Sequence, residues 1–342
     1  MGNRTINENT NGVNNVNDNA NGVLAGSSAV SSNGSGKVHR AGGLGSKGIR
    51  RYVQALRPWS FSASLTAMLL GSTLAYKSIG TLNPIVCLAS LFAVLFVHGA
   101  GNLVNTYYDY VKGVDSKKSD DRTLVDHRLE PNTVATFGAV LYALGCVAFV
   151  VAAMFSPAKM EHIALLYFGG LSSSFLYTGG IGLKYLALGD VVILITFGPL
   201  SVMFAFVNQV GHLNITPLLY AIPLALNTEA ILHSNNARDM KTDKQAGVIT
   251  VAILLGETAS YALYCFLIFT PYITFAVVGM NFSKWLLLPL FTLPMAFTLE
   301  KKFRQRELGK LPHETAKLNL LFGVLYILGC LFADTGSLPG LA

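Results

Sequence analysis

Long apolar runs follow one another from Trp59 to Phe332, and this repetition constrains the fold more than any other feature of the chain. Each run approaches the ~20 residues that an α-helix needs to cross the hydrocarbon core of a bilayer. Only 13% of the residues are charged, whereas a typical soluble domain has about 25%. The sequence therefore predicts an all-α polytopic membrane protein. We place its nine transmembrane helices at about 59–77, 84–110, 132–155, 161–180, 186–209, 215–238, 257–280, 284–300 and 315–333.

The distribution of basic residues predicts how these spans are oriented. With a cytosolic N-terminus, 22 of the 25 Lys and Arg residues fall on the cytosolic side, in the N-terminal segment or in loops. The other three are Lys77, Lys159 and Lys284. Because Lys and Arg favour cytosolic loops, we predict that the N-terminus is cytosolic. The same preference explains the net charge of +7, which therefore does not indicate nucleic-acid binding.

The first 50 residues have a different composition, rich in Asn, Gly and Ser and nearly free of aromatic residues. Such a segment cannot bury enough apolar surface to offset the entropy lost on ordering, so we predict a disordered tail at 1–50. It has no secretory hydrophobic region, and it matches a mitochondrial transit peptide only weakly. Ile6 stands where a myristoylation signal requires Ser or Thr. We expect one main domain at 51–335 and a short C-terminal tail at 336–342.

Two acidic stretches lie at the cytosolic ends of predicted spans. Asn105 and Asp109 are four residues apart, which places them on one face of a helix, and Asp115 follows a glycine that can end that helix. Asp239 and Asp243 repeat the four-residue spacing far downstream. Mg²⁺ is usually held by a few carboxylates together with substrate phosphates. The two stretches therefore predict a shared Mg²⁺ and diphosphate site at the cytosolic mouth of a membrane cavity.

A diphosphate also requires positive charge, and several residues near the acidic stretches can supply it. Arg122 follows two aspartates and can present its planar guanidinium to a phosphate, and Arg238 precedes Asp239. Lys184 lies between two predicted spans in a glycine-rich segment whose backbone can approach a ligand closely. We predict that these three cations bind the diphosphate and that Asn236 supports the site.

At these residues the sequence resembles the UbiA superfamily of intramembrane prenyltransferases, over about residues 50–335. The first family motif is N-D-x-x-D-x-x-x-D, and the chain has a variant of it with Thr106 in place of the second residue and a longer gap before the last Asp. The second motif is D-x-x-x-D, and a further feature is a Tyr followed seven residues later by a Lys. The matching residues are Asn105, Asp109, Asp115, Tyr177, Lys184, Asp239 and Asp243.

The resemblance implies a bundle of nine helices around a lipid-accessible central cavity, with a cytosolic polar cap formed by the motif loops. It implies Mg²⁺-dependent transfer of a prenyl group, with geranylgeranyl diphosphate as donor and menadiol, a naphthoquinol, as acceptor, to give menaquinone-4. Asp109, Asp239, Tyr177 and Lys184 are then the catalytic residues. The face of the Tyr177 ring would stabilise the allylic cation, because an aromatic face attracts positive charge.

Location and partners are likewise expectations that come from the resemblance. Animal members of the family are associated with endoplasmic reticulum and Golgi membranes, and a mitochondrial membrane is the alternative. The same members suggest docking to the reductase of sterol synthesis. The lipid bilayer, the prenyl diphosphate and the quinol are the other expected partners.

Three other functions fit parts of the sequence. An ion-coupled transporter could use the acidic residues as cation sites, although transporter sites tend to lie near the bilayer midplane. A sterol- or isoprenoid-sensing protein could keep the fold without catalysis. A prenyltransferase for another acceptor, such as 4-hydroxybenzoate or haem, would differ only in the lining of the cavity.

Overall fold

A computed structural model describes residues 46–115 and 123–341, and within these ranges the chain is built from helices and turns. The α-helices of the described residues are α1 (Ser46–Ala55), α2 (Phe61–Ile79), α3 (Pro84–Val111), α4 (Pro131–Phe155), α5 (Met160–Ala164), α6 (Ser174–Thr178), α7 (Gly189–Ile195), α8 (Ser201–Val210), α9 (Thr216–Gln245), α10 (Val251–Asn281), α11 (Leu293–Arg304) and α12 (Leu311–Phe332). The predicted tail at 1–50 lies almost entirely outside the described residues.

Among the described residues, five helical stretches are long and apolar enough to cross a membrane. They are Pro84–Val111, Pro131–Phe155, Gly189–Val210, Val251–Asn281 and Leu311–Phe332. The outer surface of the molecule carries many exposed large apolar side chains, among them Met154, Leu165 and Phe291. A face of this kind is stable in lipid rather than in water, so the prediction of an integral, all-helical membrane protein is confirmed.

Two of the predicted spans contain a π-helical turn. The predicted span at 161–180 is α5 and α6 joined by the π-helical turn Leu165–Gly170 and the 3-10 turn Leu171–Ser173. The span at 186–209 is α7 and α8 joined by the π-helical turn Thr196–Leu200, which contains Pro199. Because proline lacks an amide hydrogen and clashes with the preceding turn, the wider turn relieves the helix at this point.

Helices α9 and α10 both extend beyond the spans that the sequence predicted. Helix α9 continues to Gln245, so Asp239 and Asp243 are on its last turns and not on a loop. Helix α10 begins six residues before the predicted start at 257, and Gly256 interrupts it with a φ of 69°. Only glycine adopts this conformation readily, so the helix bends here. The bend separates residues 251–255, at the start of α10, from the longer remainder of the helix.

The helices are held together by close contacts at small residues. At Gly71 of α2, an added Cβ would lie 2.3 Å from the carbonyl oxygen of Val202 on α8. At Gly323 of α12, a Cβ would lie 2.4 Å from a methyl group of Thr66 on α2. Small residues allow helix backbones to approach in a bilayer, where van der Waals packing rather than water exclusion drives association. These contacts fix α2 at the centre of the bundle.

Candidate active site

The end of α3 presents the first acidic stretch to the interior. Asn105 and Asp109 lie on one face of the helix, and their exposed fractions are 7% and 3%. The helix ends at Val111, and Gly113 follows with a φ of 70°. This turn allows the amide of Asp115 to donate to the carbonyl oxygen of Asp109 at 3.2 Å. The chain therefore folds back and keeps Asp115 close to the helix end.

A short turn between α6 and α7 brings Lys184 onto this helix end. Gly182 adopts a φ of 65° and starts the 3-10 turn Leu183–Tyr185. The Lys184 ammonium then lies 2.6 Å from Asp109 Oδ2 and donates to Asn105 Oδ1 at 3.0 Å. The Tyr185 hydroxyl donates to Asp109 Oδ1 at 2.8 Å. Burial and the Asp109 carboxylate raise the pKa of Tyr185, so this hydroxyl remains a donor. Both oxygens of Asp109 are therefore occupied.

The end of α9 presents the second acidic stretch, where each acidic residue has a different environment. Arg238 holds Asp239 through Nε at 2.8 Å and Nη2 at 2.6 Å, and its Nη2 also donates to Asn235 Oδ1 at 2.8 Å. Asp243 lies one turn further, beyond the predicted span at 215–238. Burial and the neighbouring Asp239 carboxylate raise the pKa of Asp243 to about 6. A cation placed between these two carboxylates would relieve their repulsion.

The two stretches converge on one cavity, which we call the polar cavity. It is lined by Arg57, Trp59, Asn105, Asp109, Val114, Asp115, Lys184, Asn235, Asn236, Arg238, Asp239, Thr242 and Asp243. Residues more than a hundred positions apart in the sequence thus face the same space. Four carboxylates, three amide groups and three cations are concentrated there.

A second cavity, which we call the apolar cavity, adjoins the first and has a volume of about 140 Å³. Tyr177, His98 and Phe197 are among its walls. The two cavities share six residues, which are Arg57, Trp59, Asn105, Lys184, Asn235 and Asn236. A molecule with an anionic head and an apolar body could therefore occupy both at once.

The oxygen ligands that line the polar cavity are better suited to Mg²⁺ that is bound together with a phosphate than to Mg²⁺ that is bound by the protein alone. Among residues 46–115 and 123–341, no group of three or more His, Cys, Asp or Glu side chains is arranged to hold a metal ion. Asp109 and Asp239 each lie against a cation, which supplies part of the charge that a metal would supply. Mg²⁺ commonly takes only one or two carboxylates and completes its shell with phosphate oxygens and water. The site matches that pattern.

The structure brings most of the predicted site residues together. Those that line the polar cavity are Asn105, Asp109, Asp115, Lys184, Asn236, Arg238, Asp239 and Asp243. Tyr177 lies in the apolar cavity instead. Arg122 lies outside the described residues. Asn236 is also close to Asp190, with its Nδ2 at 3.4 Å from Asp190 Oδ2.

Sequence reasoning did not identify four residues of this region. Arg57 and Trp59 line both cavities. Tyr185 contacts Asp109, and Asp190 contacts Asn236. The residue pair Arg57-Pro58 contained a usable signal, because helices usually end at or before the residue that precedes a proline, and α1 ends at Ala55.

The chain was compared with known proteins by sequence. The model of the UbiA prenyltransferase family matches residues 64–332. The UbiA prenyltransferase domain-containing protein 1 of Danio rerio is 63% identical over 288 residues, which cover 84% of this chain and 86% of that protein. The Homo sapiens protein of the same name is 62% identical and covers 84% of this chain and 85% of its own length. The Drosophila melanogaster homolog is 59% identical, over 82% of this chain and 79% of that protein.

Solved structures share the fold at low sequence identity. The apo structure of a UbiA homolog from Aeropyrum pernix K1 superposes with a TM-score of 0.62 at 15% identity, and covers 77% of this chain and 96% of that one. A UbiA homolog from Archaeoglobus fulgidus, bound to DMAPP and Mg²⁺, gives a TM-score of 0.54 at 15% identity, over 81% of this chain and 99% of that one. With the family match across most of the helical part, the chain belongs to the UbiA prenyltransferase family and is an intramembrane prenyltransferase.

Proposed function

We propose that the protein transfers a geranylgeranyl group from geranylgeranyl diphosphate to menadiol in a Mg²⁺-dependent reaction, and so forms menaquinone-4. One observation supports this assignment above the others. The acidic stretches and their cations line a polar cavity that opens onto an apolar one. A prenyl diphosphate likewise combines an anionic diphosphate head with a hydrocarbon tail. The residues of the first acidic stretch, 105–115, resemble those of the menaquinone branch of the family, and this resemblance supports the choice of acceptor.

The polar cavity binds and activates the diphosphate. Asn105, Asp109, Asp115, Asp239 and Asp243 hold Mg²⁺, and Lys184, Arg238, Arg122 and Asn236 contact the phosphates. Bound Mg²⁺ supplies electrostatic stabilisation of the negative charge that grows on the leaving diphosphate. Lys184 and Arg238 add fixed positive charge at the same place. Lys184 contacts Asp109 and Arg238 contacts Asp239 in this structure. When the diphosphate binds, each cation therefore exchanges its aspartate partner for a phosphate.

The apolar cavity holds the reacting carbon and the acceptor ring. Tyr177 lies in its wall, where the face of the ring can stabilise the allylic cation that forms when the carbon–oxygen bond breaks. The electron-rich quinol then attacks this carbon, and the ring loses a proton. An apolar wall excludes the water that would otherwise capture the cation. Asp109, Asp239, Tyr177 and Lys184 are the catalytic residues in this proposal.

The membrane arrangement follows the same line of reasoning. We place nine spans across the bilayer, with the N-terminus and the polar cavity on the cytosolic side and a central cavity open to lipid. The charge bias of the loops supports this orientation. Resemblance to the animal members of the family supports a location in the endoplasmic reticulum and Golgi, and docking to the reductase of sterol synthesis. We place the enzyme domain at 51–335, between the tails at 1–50 and 336–342.

Turnover by the full-length protein, purified in detergent, tests the proposal. Menadiol is supplied with geranyl, farnesyl or geranylgeranyl diphosphate, and products are identified by mass spectrometry with Mg²⁺ or with EDTA. We expect menaquinone-4 from geranylgeranyl diphosphate, at least about 100-fold less product after metal removal, and the same loss in Asp239→Asn. Equal turnover in EDTA would contradict the metal assignment. 4-Hydroxybenzoate is supplied in a parallel reaction, and its prenylation without any product from menadiol would contradict the acceptor.

A further inference from the structure

Three ionisable side chains, which we call the buried acid cluster, lie inside the bundle and have no role in the proposed diphosphate site. They are Asp190 on α7 and Glu229 and His233 on α9. Glu229 is 5% exposed and His233 is 0% exposed, and the Asp190 side chain is 12% exposed. Ionisable residues at membrane depth are costly, and they usually serve a function.

The cluster lacks hydrogen-bond donors. Among residues 46–115 and 123–341, neither carboxyl oxygen of Glu229 accepts a hydrogen bond, and neither does Asp190 Oδ1. His233 Nε2 lies 2.9 Å from both the carbonyl oxygen and the hydroxyl oxygen of Ser260. Because the carbonyl oxygen can only accept a hydrogen bond, we assign the ring proton to this nitrogen. His233 Nδ1 has no hydrogen-bond partner and lies 3.8 Å from Asp190 Oδ1. Without a further proton, three acceptor groups face one another.

A proton bound within the cluster would remove this conflict. The side chains of Glu229 and Asp190 interact directly, at hydrogen-bonding reach. Two carboxylates that share a buried space cannot both be ionised without a large electrostatic cost. One added proton can lie between Glu229 and Asp190, or between Asp190 and His233 Nδ1. Since more than one position is available, the cluster can take up a proton and redistribute it. It has the chemistry of a proton acceptor rather than of a phosphate or metal site.

The cluster adjoins the apolar cavity on two sides. Thr228, next to Glu229 in the sequence, lines the cavity, and so does Asn236, whose Nδ2 is 3.4 Å from Asp190 Oδ2. On the other side is Tyr177, which also lines the cavity. A Cβ added at Gly189, the residue before Asp190, would lie 3.5 Å from the Tyr177 hydroxyl oxygen. The absence of a side chain at Gly189 thus leaves room for this hydroxyl close to Asp190.

We propose that the buried acid cluster accepts the proton that the acceptor ring loses, with the Tyr177 hydroxyl passing it from the apolar cavity to Asp190. This inference rests on the proposed prenyl transfer. The allylic carbon–oxygen bond breaks, and its electron pair leaves with the diphosphate. A π pair of the quinol ring forms the new carbon–carbon bond. The electrons of the ring C–H bond then restore aromaticity, the proton goes to the Tyr177 oxygen, and the Tyr177 proton moves to the cluster.

Glu229→Gln tests the proposal, because it keeps the shape of the side chain and removes its ability to accept a proton. The probe is menadiol carrying deuterium at the ring carbon that is prenylated, supplied with geranylgeranyl diphosphate. In the wild type, we expect ionisation to limit the rate and deuterium to have little effect. In Glu229→Gln, we expect kcat to fall by about 100-fold and a primary isotope effect to appear, because proton loss now limits the rate. The KM for geranylgeranyl diphosphate should be unchanged, and Glu229→Asp should recover part of the rate.

Glu300→Gln on α11 is the matched control, and it should turn over like the wild type without an isotope effect. Wild-type-like kinetics in Glu229→Gln, or a slow variant in which deuterium has no effect, would overturn the proposal. If Glu229→Gln does not fold, Tyr177→Phe decides, because it removes the transferring hydroxyl and should give the same isotope effect. Failure of the wild type to prenylate menadiol at all would instead reject the proposed function.

Discussion

The polar cavity and the apolar cavity share part of one wall, yet different forces hold them in shape. In the polar cavity, Asp109 is held by Lys184 and Tyr185, and Asp239 is held by Arg238, all at hydrogen-bonding distance. The apolar cavity has Ala63 of α2 in its wall, and α2 packs against α8 through contacts such as Gly71 on Val202. The shape of the polar cavity therefore depends on charges that a ligand can replace, whereas the shape of the apolar cavity depends on packed volumes that a ligand must fit.

The largest expected effect is at the centre of the charge network. Asp109→Asn keeps the size of the side chain but removes the charge that Lys184 contacts, and we expect turnover to fall by about 100-fold or more. Product formation is measured by mass spectrometry, and folding by thermal unfolding in detergent. The control is Asp334→Asn, at an exposed position near the C-terminus. Near-normal turnover by folded Asp109→Asn would show that the polar cavity does not carry the chemistry.

A smaller effect is expected when the apolar cavity is filled. Ala63 of α2 lines this cavity and is 5% exposed. Ala63→Phe places a ring in a space of about 140 Å³, so the acceptor must compete with it for volume. We expect KM for menadiol to rise by about tenfold, since pocket fits of this kind are worth ~1–3 kcal/mol. KM for geranylgeranyl diphosphate should rise less, because its diphosphate is held in the polar cavity.

The control for this change is Ala143→Phe, on an exposed position of α4. It adds the same ring to the outer surface and should leave both KM values unchanged. An equal rise of both KM values in Ala63→Phe would mean that the two cavities cannot be treated as separate subsites.

The smallest effect on turnover is expected from a change in packing alone. Gly71→Ala pushes a methyl group against the backbone of Val202, which cannot move as a side chain can. We expect unfolding to become easier by about 1–3 kcal/mol, while turnover at low temperature stays within about twofold. Gly309→Ala is the matched control, because a Cβ there meets nothing within 4 Å. Unchanged thermal stability in Gly71→Ala would argue that this contact does not hold the wall of the apolar cavity.

The spacing of apolar and acidic residues predicted much of this site, because helical period alone decides which residues share a face. Asn105 and Asp109 lie together on α3 for that reason. The partner of Asp109 was not predictable in the same way. Lys184 reaches it because Gly182 adopts a left-handed conformation and because Thr178 of α6 donates to Asn105 of α3. The glycines predicted a close backbone approach, but not that Asp109 would be the partner.

The buried acid cluster was visible in the sequence but was not identified. Glu229 lies inside the predicted span at 215–238, where an ionisable residue points to function more strongly than one at a span end. Its neighbour His233 follows from the four-residue spacing on α9. Asp190 could not be inferred, because it comes from a helix that a π-turn displaces from regular geometry. Distances along the sequence do not record such a displacement.

Two backbone hydrogen bonds connect the segments on the two sides of the polar cavity. The amide of Ala187, which follows the Lys184 turn, donates to the carbonyl oxygen of Ile249 at 2.8 Å, and the amide of Val248 donates to Asp243 at 2.9 Å. Because main-chain atoms form both hydrogen bonds, substitution of a side chain does not remove their donors or acceptors. The rate at which the amide protons of Ala187 and Val248 exchange with deuterated solvent would therefore report any opening of the polar cavity.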